Sequence, residues 1–568
     1  MKTIYNILLS CIFFITTACH THKPFSDYTI HKTATSQHGM VVSAHPLASE
    51  VGAAILQQGG NAIDAAIAIQ FALSVVYPQA GNIGGGGFMV LHNSNGEVNS
   101  LDYRETAPAA AHRDMYLDEK GNVISDKSCF GHLAAGVPGS VDGMYTAYEK
   151  YSKLKNWQTL IQPAIALAQR GFTITQQEAD NLNKEKSAFR QHNTRQPIFV
   201  RDQPWQSGDV LQQKDLANTL KAIQKKGREG FYAGNVADKI IAEMNAGGGI
   251  ITHADLKNYR SIWRKPITFS YKQFELISMP PPSSGGIALQ QLMKIIEPYP
   301  IKNWGFQSAK TVHLMVEAER RVYADRAQHL GDSDFYPVPM DMLCNETYLR
   351  QRMENFNPQQ ASKSTVIQAG KPTAYESPQT THFCVIDADG NAVSATTTLN
   401  DSYGSRTVVG GAGFILNNEM DDFSSKPGTP NLYGLVGGEA NAIQAHKRML
   451  SSMTPTIVTK NNIPVLVVGT PGGSTIITSV FQTIINILEF NMTPDEAVNA
   501  PRFHHQWLPD MIFIEKDAIQ PDERRKLEAM GHQMQERSPI GRVELIQINN
   551  AIFYGAADRR GDDSAKGN

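Results

Sequence analysis

A polar, unperiodic stretch from Asn357 to Gln379 divides this chain into parts of different texture, and the strand-rich segment on its C-terminal side constrains the fold most. Rich in Pro, Ser, Thr and Gln, the stretch has the composition of a linker. Immediately beyond it, Thr381–Asp387 and Ala392–Thr398 read as strands joined by the turn signal Asp389-Gly390-Asn391. Val465–Val468 reads as another strand, and helical spacing returns at Ser474–Leu488 and Asp522–Met530. Upstream, apolar residues recur every three or four positions from Ala53 to Val76, interrupted by Gly59-Gly60. Gly84–Gly87 then leads into a short strand, Phe88–His92. Further amphipathic helices are predicted around Leu160–Arg170, Lys214–Lys225 and Ala309–His329. Strands with helices on both sides predict a layered α/β sandwich. At 568 residues the chain exceeds one ordinary core, so it holds several domains or one unusually large layered one.

Composition narrows the function classes. With 41% hydrophobic and 19% charged residues and a formal net charge of −2, the chain carries no electrostatic footprint for nucleic acid. Residues 1–19 depart from this pattern: Met1-Lys2, an apolar run from Ile7 to Ile15, then Thr16-Thr17-Ala18-Cys19. That is the form of an export signal, too short to span a bilayer as a mature helix. Cys19 after Ala18 also resembles a lipoprotein cleavage site, so membrane attachment is expected only if Cys19 is lipidated. Cys129, Cys344 and Cys384 remain, with neither even number nor CxxC spacing, and suggest no disulfide framework or zinc site. Cys384, in an alternating stretch, is expected to be a small core residue.

The chemistry centres on Gln379-Thr380-Thr381-His382, where the linker meets the first strand. A threonine hydroxyl is a poor nucleophile unless a base takes its proton. If the chain is cut before Thr380, the new α-amino group is that base. Its pKa of ~7.7–8.0 suits general-base work near neutral pH. By themselves these residues are ordinary strand formers.

Their setting is not ordinary. Gln379-Thr380-Thr381-His382 with Asp389-Gly390-Asn391-Ala392-Val393 resembles the processing site of the γ-glutamyltranspeptidase family. The resemblance continues in order through Asn417–Phe423, Leu450–Met453, Pro471–Ser474 and Ala500–His505, and upstream includes Gly59–Ala66 and Gly81–Gly87. It implies the N-terminal-nucleophile hydrolase fold, a four-layer αββα sandwich. It also implies residues 20–379 as a large subunit and 380–568 as a small catalytic one, after the signal of residues 1–19. No cofactor or metal is expected.

By the same resemblance, Thr380 is the nucleophile, Thr398 and Asn400 orient it and the substrate, and Gly472 and Gly473 supply oxyanion-hole N–H groups. Each such donor is worth roughly 3–4 kcal/mol in other enzymes. Arg104 would hold the α-carboxylate of a γ-glutamyl group, a task that suits a planar guanidinium. Ser451 and Ser452 would add hydrogen bonds, while Glu419 and Asp422 would bind the α-ammonium. Tyr433, in the Pro/Gly-rich segment Lys426–Gly434, would close over the site as a lid. His504-His505 lacks a third ligand at metal spacing and reads as structural. Gly84–Gly87 lacks the Gly-Lys-Ser/Thr of a phosphate loop and reads as close packing. Asp421 points away from Asp422 if the two adjoin on a strand or turn.

Three departures lie near these motifs: Met449 where Pro is usual, Thr475 where Arg is common, and Thr470 in place of Ser. They leave the proposed catalytic groups intact, and the first two, beside the pocket, bear on substrate preference. Two rival readings are a β-lactam side-chain acylase of the same fold and an exported binding protein that never matures. The trio Arg104, Glu419 and Asp422 favours a zwitterionic glutamyl group over the former.

Overall fold

A computed structural model of the chain describes residues 23–367, 380–429, 431, 435, 437–537 and 539–568. The signal of residues 1–19, Cys19 and Tyr433 therefore lie outside the described residues, as do residues 368–379 before Thr380.

Two seven-stranded sheets form the centre. In chain order the strands are β1 (Thr33–Ser36), β2 (Gly39–Ser43), β3 (Gly86–His92), β4 (Val98–Asp102), β5 (Ile262–Arg264), β6 (Ile267–Tyr271) and β7 (Phe274–Ser278). Beyond Thr380 come β8 (Thr381–Asp387), β9 (Ala392–Thr398), β10 (Thr456–Lys460), β11 (Ile463–Gly469), β12 (Glu544–Asn549), β13 (Ile552–Ala557) and β14 (Ser564–Gly567). The first sheet runs β14-β2-β8-β9-β3-β4-β5 and the second β1-β13-β12-β11-β10-β7-β6, with antiparallel neighbours in both. Both mix strands from either side of Thr380. The two sequence halves are thus one interleaved body, not two domains.

The layers follow from side-chain alternation. Phe383 and Val385 of β8 join the core beneath helices α1 (Pro46–Gln57) and α2 (Ala62–Val76), and α3 (Trp157–Arg170) packs on α2. Cys384 and Ile386 point the other way, into the core shared with the second sheet. Cys384 is fully buried, its Sγ 3.4 Å from each of the carbonyl oxygens of Val467 and Glu544 that can share its one hydrogen, so it is the small core residue expected. On the outer face of the second sheet lie α4 (Gly285–Ile296) and α6 (Thr475–Leu488), with α5 (Ala309–His329) packed on α4. The order is helix, sheet, sheet, helix.

Local sequence explains the elements. α1 starts with Pro46 in its first turn and a cap from His45 to Leu47 N–H, and the chain then turns at Gly59, where φ is 86°. α2 begins with a reciprocal capping box between Asn61 and Asp64 and is buried all round, as an apolar helix between layers must be. The linker composition of residues 357–367 misleads. Ser362 N–H donates to Glu317 (3.0 Å), Ser364 N–H to Asp510 (2.7 Å), and Trp507 Nε1 to the carbonyls of Ser364 and Ile367. Polar anchors hold this stretch, so it needs no hydrophobic periodicity.

Candidate active site

The β8–β9 hairpin sets the position of the nucleophile candidate. Thr381 pairs with Thr397, so Thr380, just before β8, stands beside Thr398 at the end of β9. Their Oγ1 atoms lie 3.4 Å apart, and Thr380 is only 5% exposed. Asn400 N–H donates to Thr398 Oγ1 (2.7 Å), which leaves the Thr398 hydroxyl hydrogen to be given elsewhere. Asn400 adopts φ 77°, a left-handed conformation that asparagine tolerates, and its Nδ2 bonds Asn418 O at 3.0 Å. That bond ties the loop after β9 to the loop bearing Glu419.

Gly84–Gly87 make this packing possible. A Cβ at Gly85 would lie 2.1 Å from Thr398 O, and one at Gly87 would lie 2.4 Å from Thr396 O. Gly85 and Gly87 thus pack closely against the strand that ends in Thr398, while a Cβ at Gly84 would meet Ile415 O (2.1 Å) and one at Gly86 would meet Tyr103 O (2.5 Å).

Pro471-Gly472-Gly473 connects β11 to the N-terminus of α6. The φ values of Gly472 and Gly473 are 143° and 55°, and a Cβ at Gly472 would meet Thr475 Oγ1 at 2.5 Å. Thr475 binds Gly472 O through both its N–H (3.0 Å) and its hydroxyl (2.7 Å). The threonine that replaces the common arginine is thus a clamp on the glycine turn. A helix N-terminus beside such a turn favours negative charge.

One cleft is lined by Thr380, Thr398, Asn400, Arg104, Asp422, Ser451, Ser452 and Gly473, together with Arg326, Leu435, Met453 and Ile476. Arg104, just after β4, is fully buried. Its Nη1 lies 2.6 Å from Glu419 and its Nη2 contacts Asp422. Longer contacts of 3.4 Å run from Nε and Nη2 to the carbonyls of Met449 and Leu450. The sequence assigned Arg104 and the two acids separate duties, whereas here they form one ionic cluster. Glu419 is fixed by its N–H on Asn417 Oδ1 (3.0 Å), and Asn417 Nδ2 in turn bonds the carbonyls of Gly84 and Gly136. Asp421 points elsewhere, to Ser128 Oγ at 2.6 Å.

The cluster is short of positive charge. Burial pushes the Glu105 carboxyl up to about 8 despite Arg104, and neither of its side-chain oxygens has a hydrogen-bond partner among the described residues. Burial also raises Glu419 and Asp422, with Arg104 pulling each back. A ligand ammonium entering here would meet carboxyl groups ready to ionise.

Ser451 and Ser452 lie just past a turn fastened to the segment before α4: Ser451 N–H bonds Pro282 O (2.9 Å) and Ser284 N–H bonds Ser451 O (2.8 Å). The sequence reading missed Arg326 and Glu105. A signal for the former exists: Ala309–His329 contains Glu317, Glu319, Arg320, Arg321, Asp325 and Arg326, all buried, too many charges for one solvent face. Glu105 stands next to Arg104, where only the arginine drew a role.

His313, Glu317 and His532 also converge. His313 Nδ1 lies 2.7 Å from His532 Nε2 and its Nε2 lies 2.8 Å from Asn357 O, while Glu317 is held by Arg320 and Arg321. Hydrogen bonds within the protein account for that cluster. His504 and His505 are buried and held neutral, bonded to Thr478 and Asp510 respectively.

A four-layer αββα sandwich whose central strand starts at a buried threonine defines the N-terminal-nucleophile hydrolase class. The family profile described as Gamma-glutamyltranspeptidase matches residues 48–568, and the chain belongs to that family. It is similar to a glutathione hydrolase proenzyme of Pseudomonas sp. (strain A14), 48% identical over 92% of this chain and 93% of the relative. It is likewise similar to one of Escherichia coli (strain K12), 46% identical over 93% and 91%. Among solved structures, the cephalosporin acylase from Bacillus halodurans superposes with a TM-score of 0.83 at 25% identity, covering 95% of this chain and 97% of that one.

Proposed function

We propose that this chain is the precursor of a self-cleaving γ-glutamyltransferase and glutathione hydrolase, with Thr380 as its nucleophile. The observation that carries this reading is the cleft itself. It joins a threonine hydroxyl at the head of a central strand to a buried arginine with two acids, the equipment for a zwitterionic glutamyl end. The names of the relatives support the activity.

Cleavage before Thr380 separates a large subunit, 20–379, from a small one, 380–568, and frees the α-amine. The amine takes the Thr380 hydroxyl proton as Oγ1 attacks the γ-carbonyl of the substrate. The Gly472 and Gly473 N–H groups receive the developing oxyanion, worth roughly 3–4 kcal/mol per donor. Collapse forms a γ-glutamyl ester and expels an amine, such as cysteinylglycine from glutathione, which takes up the proton. Water or a second amine then attacks the ester, giving hydrolysis or transpeptidation. Thr398 and Asn400 orient the nucleophile and substrate. Arg104, Ser451 and Ser452 grip the α-carboxylate, and Glu419 and Asp422 the ammonium. Tyr433 is assigned the lid. Export through residues 1–19, with lipid anchoring if Cys19 is the cleavage site, completes the proposal.

An acylase reading draws on the Bacillus halodurans likeness, but the buried Arg104 cluster favours a charged glutamyl group over an apolar acyl chain. The test is Thr380→Ala. Both chain cleavage and γ-glutamyl-anilide turnover should vanish; normal turnover by that variant would remove Thr380 from the mechanism.

A further inference from the structure

Arg326 is a buried cation on the cleft wall to which the proposed mechanism gives no work. It lies near the end of α5, and its two fingers reach two serines. Nε donates to Ser284 Oγ (3.0 Å) and Nη2 donates to Ser452 Oγ (3.1 Å). Ser284 Oγ passes its own hydrogen to Ser451 O at 2.6 Å. Arg326 therefore holds both residues of the serine pair, one directly and one through Ser284.

The direction of these bonds matters. A hydroxyl offers one hydrogen and two lone pairs. A guanidinium only donates, so Ser452 Oγ must be the acceptor in its bond with Arg326. That is the one hydrogen bond Ser452 Oγ makes among the described residues. Its hydrogen is left to point elsewhere, and Ser452 lines the cleft. Arg326 also acts on Asp422 at a distance, helping to oppose the burial that raises that carboxyl.

We propose that Arg326 is the positioning residue for the α-carboxylate end of the cleft: by occupying Ser452 Oγ as an acceptor, it turns the serine hydrogen toward a bound carboxylate. This rests on the γ-glutamyl reading and deepens it. Arg326 need not touch substrate. A lysine would keep the charge but lose the fork that spans two serines.

The experiment compares wild type, Arg326→Gln and Arg326→Lys, each matured to two chains, on two anilides. One carries a γ-glutamyl group, and the other a 4-aminobutyryl group that lacks only the α-carboxylate. Arg326→Gln should raise KM for the γ-glutamyl anilide by about 10- to 100-fold, with kcat within about threefold. It should leave the poorer turnover of the 4-aminobutyryl anilide nearly unchanged. Arg326→Lys should recover part of the KM. The loss in Ser452→Ala plus Arg326→Gln should fall short of the product of the single losses, because both remove one interaction.

Equal losses on both anilides, or fully multiplicative single losses, would mean a structural role and overturn the proposal. Should Arg326→Gln fail to mature, Ser284→Ala, which removes one leg of the hold, must give a smaller KM rise confined to the γ-glutamyl anilide; no such rise overturns it too. If wild type turns over neither anilide, it is the γ-glutamyl reading that falls.

Discussion

Two buried arginine clusters in this protein are built from the same residue types and behave in opposite ways. Around Arg104, three carboxyl groups, those of Glu105, Glu419 and Asp422, crowd one fully buried guanidinium, and burial pushes all three upward. Around Glu317, two arginines serve one acid: Arg320 Nε lies 3.3 Å from Oε1 and Arg321 Nη1 2.6 Å from Oε2. There burial alone would raise Glu317, but Arg320, Ser362 and Arg321 outweigh it and bring the group down to about 2. Arg320 also pairs with Asp510, which accepts the N–H of Ser364. The second cluster is balanced and fastens residues 357–367, the last described stretch before Thr380, to the body. The first is left wanting positive charge and lines a cleft. Of these two clusters, the unbalanced one lines the cleft and the balanced one is a joint.

That contrast can be broken by substitution. The largest effect is expected from Arg320→Met, which leaves Glu317 to Arg321 alone and takes the arginine from Asp510. Stability should fall by roughly 3–5 kcal/mol, read from denaturant midpoints. Matured enzyme should keep its turnover per folded molecule. Arg104→Gln should do the reverse, with kcat/KM for the γ-glutamyl anilide falling on the order of 100-fold, or about 3 kcal/mol, and a smaller stability loss at pH 6. If the two variants exchange these profiles, the division into site and joint is wrong.

The pH dependence sharpens the same point. Glu105 rises from 4.5 to about 8 on folding, so between those values the folded chain holds a proton that the unfolded chain has released. Stability from this group is therefore lost as pH rises through that window. Glu105→Gln should become more stable relative to wild type from pH 5 to pH 8, by on the order of 1–3 kcal/mol. Parallel stability curves would contradict the charge deficit. The smallest effect concerns Asp510, partly exposed and lowered against its burial by His505, Ser364 N–H and Arg320. Its contribution is present above the ordinary carboxylate range and lost in acid. Asp510→Asn should flatten acid unfolding below pH 4 by about 1 kcal/mol or less.

Much of the fold was legible because its period is strong. The hairpin Thr381–Asp387 and Ala392–Thr398 stands where alternation and the Asp-Gly-Asn turn put it, and α1 and α2 part at Gly59-Gly60. Strands toward one edge of each sheet were not legible. Thr33–Ser36 and Gly39–Ser43 are four and five residues long, and their partners lie more than 300 residues away in sequence. No local pattern reports such pairing. Of the site, Thr380, Arg104, Asp422 and the serine pair were reached through family motifs and meet in one cleft. Arg326 was not reached because a charged residue in a helical period reads as solvent-facing until packing shows otherwise, and Glu105 because a lone acid in the loop after β4 carries no pattern of its own.

Everything in the mechanism depends on Thr380 becoming the first residue of a chain. Denaturing gel electrophoresis of purified, turnover-competent protein, with N-terminal sequencing of the smaller band, tests this directly. Two chains, the smaller beginning at Thr380, are predicted. A single uncut chain in an active preparation, or a small chain beginning elsewhere, would contradict the account.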